Sequence, residues 1–229
     1  MDFKKIRLLS FDCYGTLIDW KDSVLRILES FFEDTPLNFS REELFSAFLE
    51  ADRKMISNTN LSYREILAQV IELMAEDLRF SIDPASRYLL SDHFAEWTPF
   101  PDTVQSLKKL KEKFQLAIIS NVDDELFSIS NKLLGVEFDF IVTAQQLGSY
   151  KPDHRNFQKA LEIFNMGKEE NLHVAQSIYH DIVPANQLGL NKVWINRYAE
   201  PERTDPIEYP DLEVPDLQSL VRILEMERD

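Results

Sequence analysis

The stretch Ile6-Arg7-Leu8-Leu9-Ser10-Phe11-Asp12-Cys13-Tyr14-Gly15-Thr16 decides the fold. A short apolar run that halts at an acidic residue and a glycine-containing turn reads as a strand feeding a loop. Similar runs recur at 115–120 (QLAIIS), 138–143 (FDFIVT), 172–177 (LHVAQS) and 192–196 (KVWIN). Apolar residues at helical spacing predict helices over 102–113, 123–134, 153–164 and 181–188, and a last one over 217–227. Strands alternating with helices at this interval predict βαβ units and a parallel sheet, so the fold class is α/β.

Residues 19–97 break that rhythm. They carry no convincing strand, and their apolar residues recur at three and four, as in Val24, Leu28 and Phe31 or Leu44, Phe45, Phe48 and Leu49. Ser40 with Glu43, and Ser62 with Glu65, have the spacing of capping boxes, and Asp83-Pro84 has the form of a further helix start. An all-helical insert of about four helices, 19–97, is therefore expected to divide an α/β core made of 1–18 and 98–229. The Asp-, Glu- and Pro-rich stretch 200–216 is expected to be an irregular surface excursion.

Composition excludes several classes of function. With 229 residues and only 5 glycines, the chain suits a large globular domain rather than a collagen-like or low-complexity one. Forty acidic against 25 basic residues repel polyanions, so neither nucleic acid nor an acidic membrane surface is an expected partner. Cys13 is the single cysteine, which permits no internal disulfide. The apolar stretch near Met1 is too short and broken for a signal peptide, and no run of about 18 apolar residues occurs, so a cytoplasmic location is expected.

In a parallel α/β sheet, ligands bind beyond the carboxyl ends of the strands. Asp12 stands at the first such end, Ser120-Asn121 at the second, Lys151 in the loop after 138–143, and Asp181 after 172–177. Each has a bland reading. An Asp before a glycine turn is often a turn former, Ser-Asn after a strand is often a helix cap, and a Lys-Pro loop is usually solvated. Two carboxylates, a hydroxyl and a lysine at four strand ends in one order favour a shared site.

The order Asp12-x-Tyr14-Gly15-Thr16-Leu17, Ser120-Asn121, Lys151-Pro152, Asp181 resembles the haloacid dehalogenase superfamily. Tyr14 two residues after the Asp is similar to the 2-haloacid dehalogenase branch. The texts FDCYGTLIDW, FPDTV, GSYKPD and QSIYHDIVPAN resemble a subgroup whose members include a hydrolase that opens the ring of azetidine-2-carboxylate. The resemblance spans nearly the whole chain. It implies a Rossmann-like core with a helical cap, and a hydrolase acting at C2 of a small carboxylic acid. Asp12 would be the nucleophile forming an ester, Lys151 would keep it ionised, and Asp181 would serve Lys151 or the hydrolytic water. Tyr14, Thr16, Ser120, Asn121 and Ser177 are the expected substrate-binding residues. Neither a metal nor another cofactor is expected, and the protein is expected to be a monomer or homodimer.

Tyr14 separates the candidate reactions. Phosphatases of the superfamily carry a second Asp at that position to protonate the leaving alkoxide. A tyrosine, with a reference pKa of about 10, donates poorly at neutral pH. A halide needs no proton, and a strained cyclic amine arrives already protonated. The alternatives are a magnesium-dependent phosphatase and an idle binding protein that keeps the fold. The chain departs from the dehalogenase pattern at Ile178, where an Asn is usual, at Phe157, where a Tyr is usual, and at Glu43, near where a cap arginine is usual. Arg53 and Arg64 are the available substitutes, though a solvated face is the simpler reading of both. His93, His154, His173 and His180 lack ligand spacing and are expected to be surface or packing residues. Cys13 is expected to be a small buried side chain.

Overall fold

The computed structural model describes residues 1–33, 35–56, 61–201 and 203–227. Its six strands are β1 (Leu8–Phe11), β2 (Gln115–Ser120), β3 (Phe140–Thr143), β4 (Asn171–Ala175), β5 (Asn191–Ile195) and β6 (Leu212–Val214). They form one parallel sheet in the order β3-β2-β1-β4-β5-β6. All four residues of β1 are buried, as its apolar run requires of a strand covered on both faces. Phe11 pairs with Ile118 of β2 on one side and Val174 of β4 on the other. The order reverses at β1, so the residue leaving its carboxyl end enters a ready crevice.

The helices are α1 (Trp20–Phe32), α2 (Arg41–Ile56), α3 (Tyr63–Asp77), α4 (Leu89–Asp92), α5 (Thr103–Lys111), α6 (Asp124–Leu134), α7 (Ala144–Leu147), α8 (His154–Phe164), α9 (Val183–Leu188) and α10 (Leu217–Met226). α1 to α4 lie between β1 and α5 in the chain. One apolar core runs from the sheet residues Phe11, Leu116 and Val174 into Leu28, Phe48, Leu67 and Met74 of the inserted helices. The outgoing and returning chains lie side by side: Ile18 bridges Pro99, and the Phe100 and Asp19 amides donate to Leu17 and Thr98 carbonyls.

Local signals vary in outcome. At α2 both arms of the capping box form, with the Glu43 amide on Ser40 Oγ and the Ser40 amide on the Glu43 carboxylate. At α3 Ser62 accepts from the Glu65 amide, but the Glu65 carboxylate turns instead to Tyr88 Oη and Arg87. The helix expected from Asp83 shrinks to an Asp-capped turn, one 3-10 turn (Ser86–Tyr88) and the four residues of α4. The excursion 200–216 is not wholly irregular, since β6 pairs with β5 through Val193 to Ile195. Three residues between Pro210 and Pro215, one of them the exposed Glu213, are too few to show a period of two.

Two connections fix the inserted helices over the strand ends. The Asp123 carboxylate, after β2, accepts from the Tyr63 and Arg64 amides, both at 2.8 Å, and so caps α3. Tyr150 Oη donates to the Leu61 carbonyl at 2.9 Å. On the other side, Arg197 after β5 donates through Nε and Nη2 to the Thr16 carbonyl and through Nη1 to Asp102.

Gly15 is where backbone conformation and space act together. Its φ of +97° suits glycine, and an added Cβ would lie 3.0 Å from Trp20 Nε1 and 3.2 Å from Gln176 Oε1. Gly148 has φ +58° but nothing within 4 Å of such a Cβ. Gly148→Ala is expected to cost about 1–2 kcal/mol from strain alone. Gly15→Ala adds overpacking and is expected to cost about 2–4 kcal/mol. Urea denaturation of both variants checks the ranking, and equal losses would mean that the Trp20 contact relaxes freely.

Candidate active site

Asp12 follows β1 directly, and both of its oxygens are held. Oδ1 accepts from Lys151 Nζ at 2.8 Å and Oδ2 from Thr16 Oγ1 at 2.8 Å. Thr16 Oγ1 in turn accepts from the Gln176 amide beyond β4, which fixes its proton towards Asp12. Lys151 Nζ has three donors and uses them all: Asp12, Asp181 Oδ1 at 2.7 Å and the Ile119 carbonyl of β2 at 2.9 Å. Asp181 Oδ1 also receives His173 Nε2 at 3.0 Å, and His173 Nδ1 lies 3.0 Å from Ser10 Oγ. A proton on Nε2 faces the carboxylate, and Nδ1 shares a hydrogen bond with the serine hydroxyl. A continuous chain thus runs Ser10–His173–Asp181–Lys151–Asp12–Thr16.

Burial sets the electrostatics. Asp12 is 7%, Lys151 2% and Asp181 0% exposed. Burial opposes the charge on Lys151, but the two carboxylates outweigh it and raise its pKa above the ordinary value, so the ammonium persists. Burial acts upwards on Asp181, yet Lys151 and His173 together hold its carboxyl down at about 2. Asp12 is raised, because burial exceeds what Lys151 pulls back and Asp181 adds repulsion.

The other sequence candidates gather around one cavity of about 1230 Å³, which Asp12, Tyr14, Ser120, Asn121, Lys151, Ser177 and Asp181 all line. Ser120 Oγ is enclosed and has no hydrogen-bond partner among the described residues. The Asn121 amide is spent on the loop that carries Lys151, accepting from the Lys151 amide at 2.7 Å and donating to its carbonyl at 3.0 Å. Ser177 Oγ accepts from the His180 amide and starts the five-residue π turn Ile178–Ile182, which delivers Asp181 inward. Such turns recur at functional sites. Tyr14 gives the cavity its ring, but its hydroxyl lies 3.1 Å from Ser130 Oγ, and the ring packs edge-on against Phe94 and Trp97. Burial pushes its phenol well above the usual range.

Some residues stand elsewhere. Arg64 pairs with Asp92 and lies outside the cavity lining, whereas Arg53 is part of it. Glu43 is a cap, and Phe157 packs edge-on against His173. Cys13 is buried, and burial raises its thiol well above the ordinary value. Of the four histidines, His93 is exposed and His154 half-buried, and they pair with Glu96 and Gln187. His173 and His180 depart from the surface-or-packing expectation. His173 joins the buried chain to Asp181, and His180 lines the cavity with an imidazole that burial keeps neutral. A histidine inside a fully buried strand needs a partner, and that was the signal available for His173. Asp52, on α2, is a further cavity carboxyl that sequence reasoning missed.

The Lys151 ammonium stands between the Asp12 and Asp181 carboxylates. Among the described residues no group of three His, Cys, Asp or Glu side chains is arranged to hold an ion.

A family model described as haloacid dehalogenase-like hydrolase matches residues 9–195. The (S)-2-haloacid dehalogenase of Pseudomonas sp. (strain YL) is 26% identical over 98% of this chain and 96% of its own. The glyceraldehyde 3-phosphate phosphatase of Pyrococcus furiosus is 25% identical over 98% and 95%. Among solved structures, the L-2-haloacid dehalogenase from Xanthobacter autotrophicus with chloropropionic acid covalently bound superposes with a TM-score of 0.79. It is 18% identical and covers 96% of this chain and 98% of that one.

Removing the ammonium tests the electrostatic reading. Lys151→Met leaves two buried carboxylates facing each other and is expected to cost about 3–5 kcal/mol near pH 7. Both carboxyls then have raised folded pKa values, and such groups contribute stability at low pH that is lost as pH rises. The deficit relative to wild type should therefore shrink on acidification to about pH 5. Denaturation at the two pH values decides it, and a constant deficit would assign Lys151 a packing role instead.

Proposed function

The chain belongs to the haloacid dehalogenase-like hydrolase family, and on that premise we propose that it hydrolyses a small 2-substituted carboxylic acid at C2 through an ester on Asp12. The observation that carries this reading is the pairing of a doubly held Asp12 carboxylate with a Tyr14 hydroxyl turned to Ser130. The cavity offers a nucleophile and gives the leaving group no acid two residues on. An Asp12 oxygen attacks C2, the bond to the leaving group breaks with its electron pair, and a carboxylic ester results. Water then adds to the ester carbonyl, restoring the Asp12 carboxylate and releasing a 2-hydroxy acid. Asp181, ionised and fixed by Lys151 and His173, keeps the ammonium in place through both steps. Ser120 Oγ, with no partner of its own among the described residues, is the donor for the substrate carboxylate.

Two leaving groups satisfy this chemistry, a halide and the nitrogen of a strained cyclic amine such as azetidine-2-carboxylate. The likeness to haloacid dehalogenases supports the first, and the apolar wall of Trp20, Phe45 and Phe48 suits either. Phosphatase activity is the second reading, favoured by the likeness to the Pyrococcus furiosus enzyme and opposed by the Tyr14 hydroxyl turned to Ser130. We place the enzyme in the cytoplasm as a monomer or homodimer acting on a free small carboxylate. The excess of acidic residues argues against a polyanionic partner, the single cysteine permits no internal disulfide, and no described helix is long and apolar enough to cross a membrane.

Incubation with 2-halo acids, azetidine-2-carboxylate and phosphate esters, with and without EDTA, tests the reading. Release of halide or of ring-opened amine, unaffected by EDTA, is expected, and Asp12→Asn should abolish it. Magnesium-dependent phosphate release as the dominant activity would overturn it.

The acid limb of kcat/KM supplies a separate check. Attack requires the Asp12 carboxylate, and its pKa is raised from 3.8. Activity should therefore fall with decreasing pH already above the ordinary Asp range. Full activity down to about pH 4 would exclude Asp12 as the raised group.

A further inference from the structure

One group in the cavity stands apart from the Lys151 network. Asp52 lies on α2 and lines the same cavity as Asp12, Trp20, Phe48 and Tyr63. Its Oδ1 is enclosed and meets no hydrogen-bond donor among the described residues. Burial pushes its carboxyl up to about 7, with the charge of Arg53 acting the other way. Burial first, and then the charge of Asp52, pushes the Tyr63 phenol well above its usual range.

Nothing in the packing asks for a carboxyl here. Trp20 stacks at a tilt on Phe45 and Phe48, and an apolar side chain at 52 would extend that wall. A carboxylate with one oxygen enclosed and without a donor is costly, and a cation brought into the cavity by a ligand would offset its charge. Resting on the C2 reading of Asp12, we propose that Asp52 receives the protonated nitrogen of the substrate, so that the cavity selects small amino or imino acids over 2-haloacids.

The placement has a chemical consequence for a strained cyclic amine. A dry cavity favours the neutral amine, whose departure would require an amide anion, and a carboxylate beside the nitrogen keeps it protonated. Attack by the Asp12 oxygen forms the C2–O bond while the C2–N pair returns to nitrogen. The nitrogen leaves as a neutral amine, still tethered through the opened ring. Hydrolysis of the ester by water then yields the Asp12 carboxylate, the hydroxyl at C2 and one proton, which the amine takes up. The resulting ammonium pairs again with Asp52. A halide, in contrast, would leave as an anion towards a second carboxylate.

Calorimetric titration of the Asp12→Asn protein, which cannot form the ester, with azetidine-2-carboxylate and with 2-chloropropionate separates these cases. Adding Asp52→Asn should weaken binding of the amine about 10- to 100-fold, the loss of one charge-assisted hydrogen bond, and leave chloropropionate unchanged or tighter. Asp52→Leu in the same background should repeat the amine loss while raising the thermal midpoint. Equal weakening of both ligands, or unchanged amine binding, would overturn the role of Asp52. Failure of the Asp12→Asn protein to bind either ligand would overturn the C2 reading itself, and the inference with it.

Discussion

The buried ammonium of Lys151 is the constraint on which the site depends. Its three bonds reach Asp12 after β1, Asp181 after β4 and a carbonyl of β2, so one side chain from the loop after β3 ties together three neighbouring strand ends. A lysine buried in this way is unfavourable unless every donor is satisfied and its charge is countered. Here two anions surround one cation. The excess negative charge is tolerable because Thr16 and His173 each donate to one of the carboxylates. Asn121 completes the arrangement from outside, since its two bonds to the Lys151 backbone fix where the side chain starts.

The inserted helices depend on the same sheet edge. Asp123 caps α3 two residues after Asn121, so a single turn after β2 both holds the Lys151 loop and anchors the roof of the cavity. At the opposite rim, Arg197 grips the Thr16 carbonyl and Asp102, while Asp102 also accepts from the Leu217 amide that begins α10.

Much of this was legible in the sequence, for identifiable reasons. Short apolar runs ending in polar residues marked five of the six strands, and the strand-end rule selected Asp12, Ser120, Lys151 and Asp181 without any coordinates. β6 was hidden because three residues cannot display alternation. Asn121 was legible as a site residue but not as a clamp, since the loop it holds lies 30 residues away. His173 and Asp52 were missed for a shared reason. Each is a polar residue whose meaning depends on what faces it across elements distant in the chain, and periodicity along one element carries no such information.

Asp12 and Asp181 are chemically identical and separated by one ammonium, yet their surroundings divide their roles. Asp181 receives two donors on one oxygen and is held strongly acidic, which makes it a permanent counter-charge. Its Oδ2 has no partner among the described residues, but Asp181 is fully buried whereas Asp12 retains some exposure. Asp12 has one donor on each oxygen, opens on the cavity and has a raised pKa, so its negative charge is held less tightly. Placing His173 behind Asp181 rather than behind Asp12 sets this asymmetry. The buried His173 thus distinguishes two otherwise identical carboxylates.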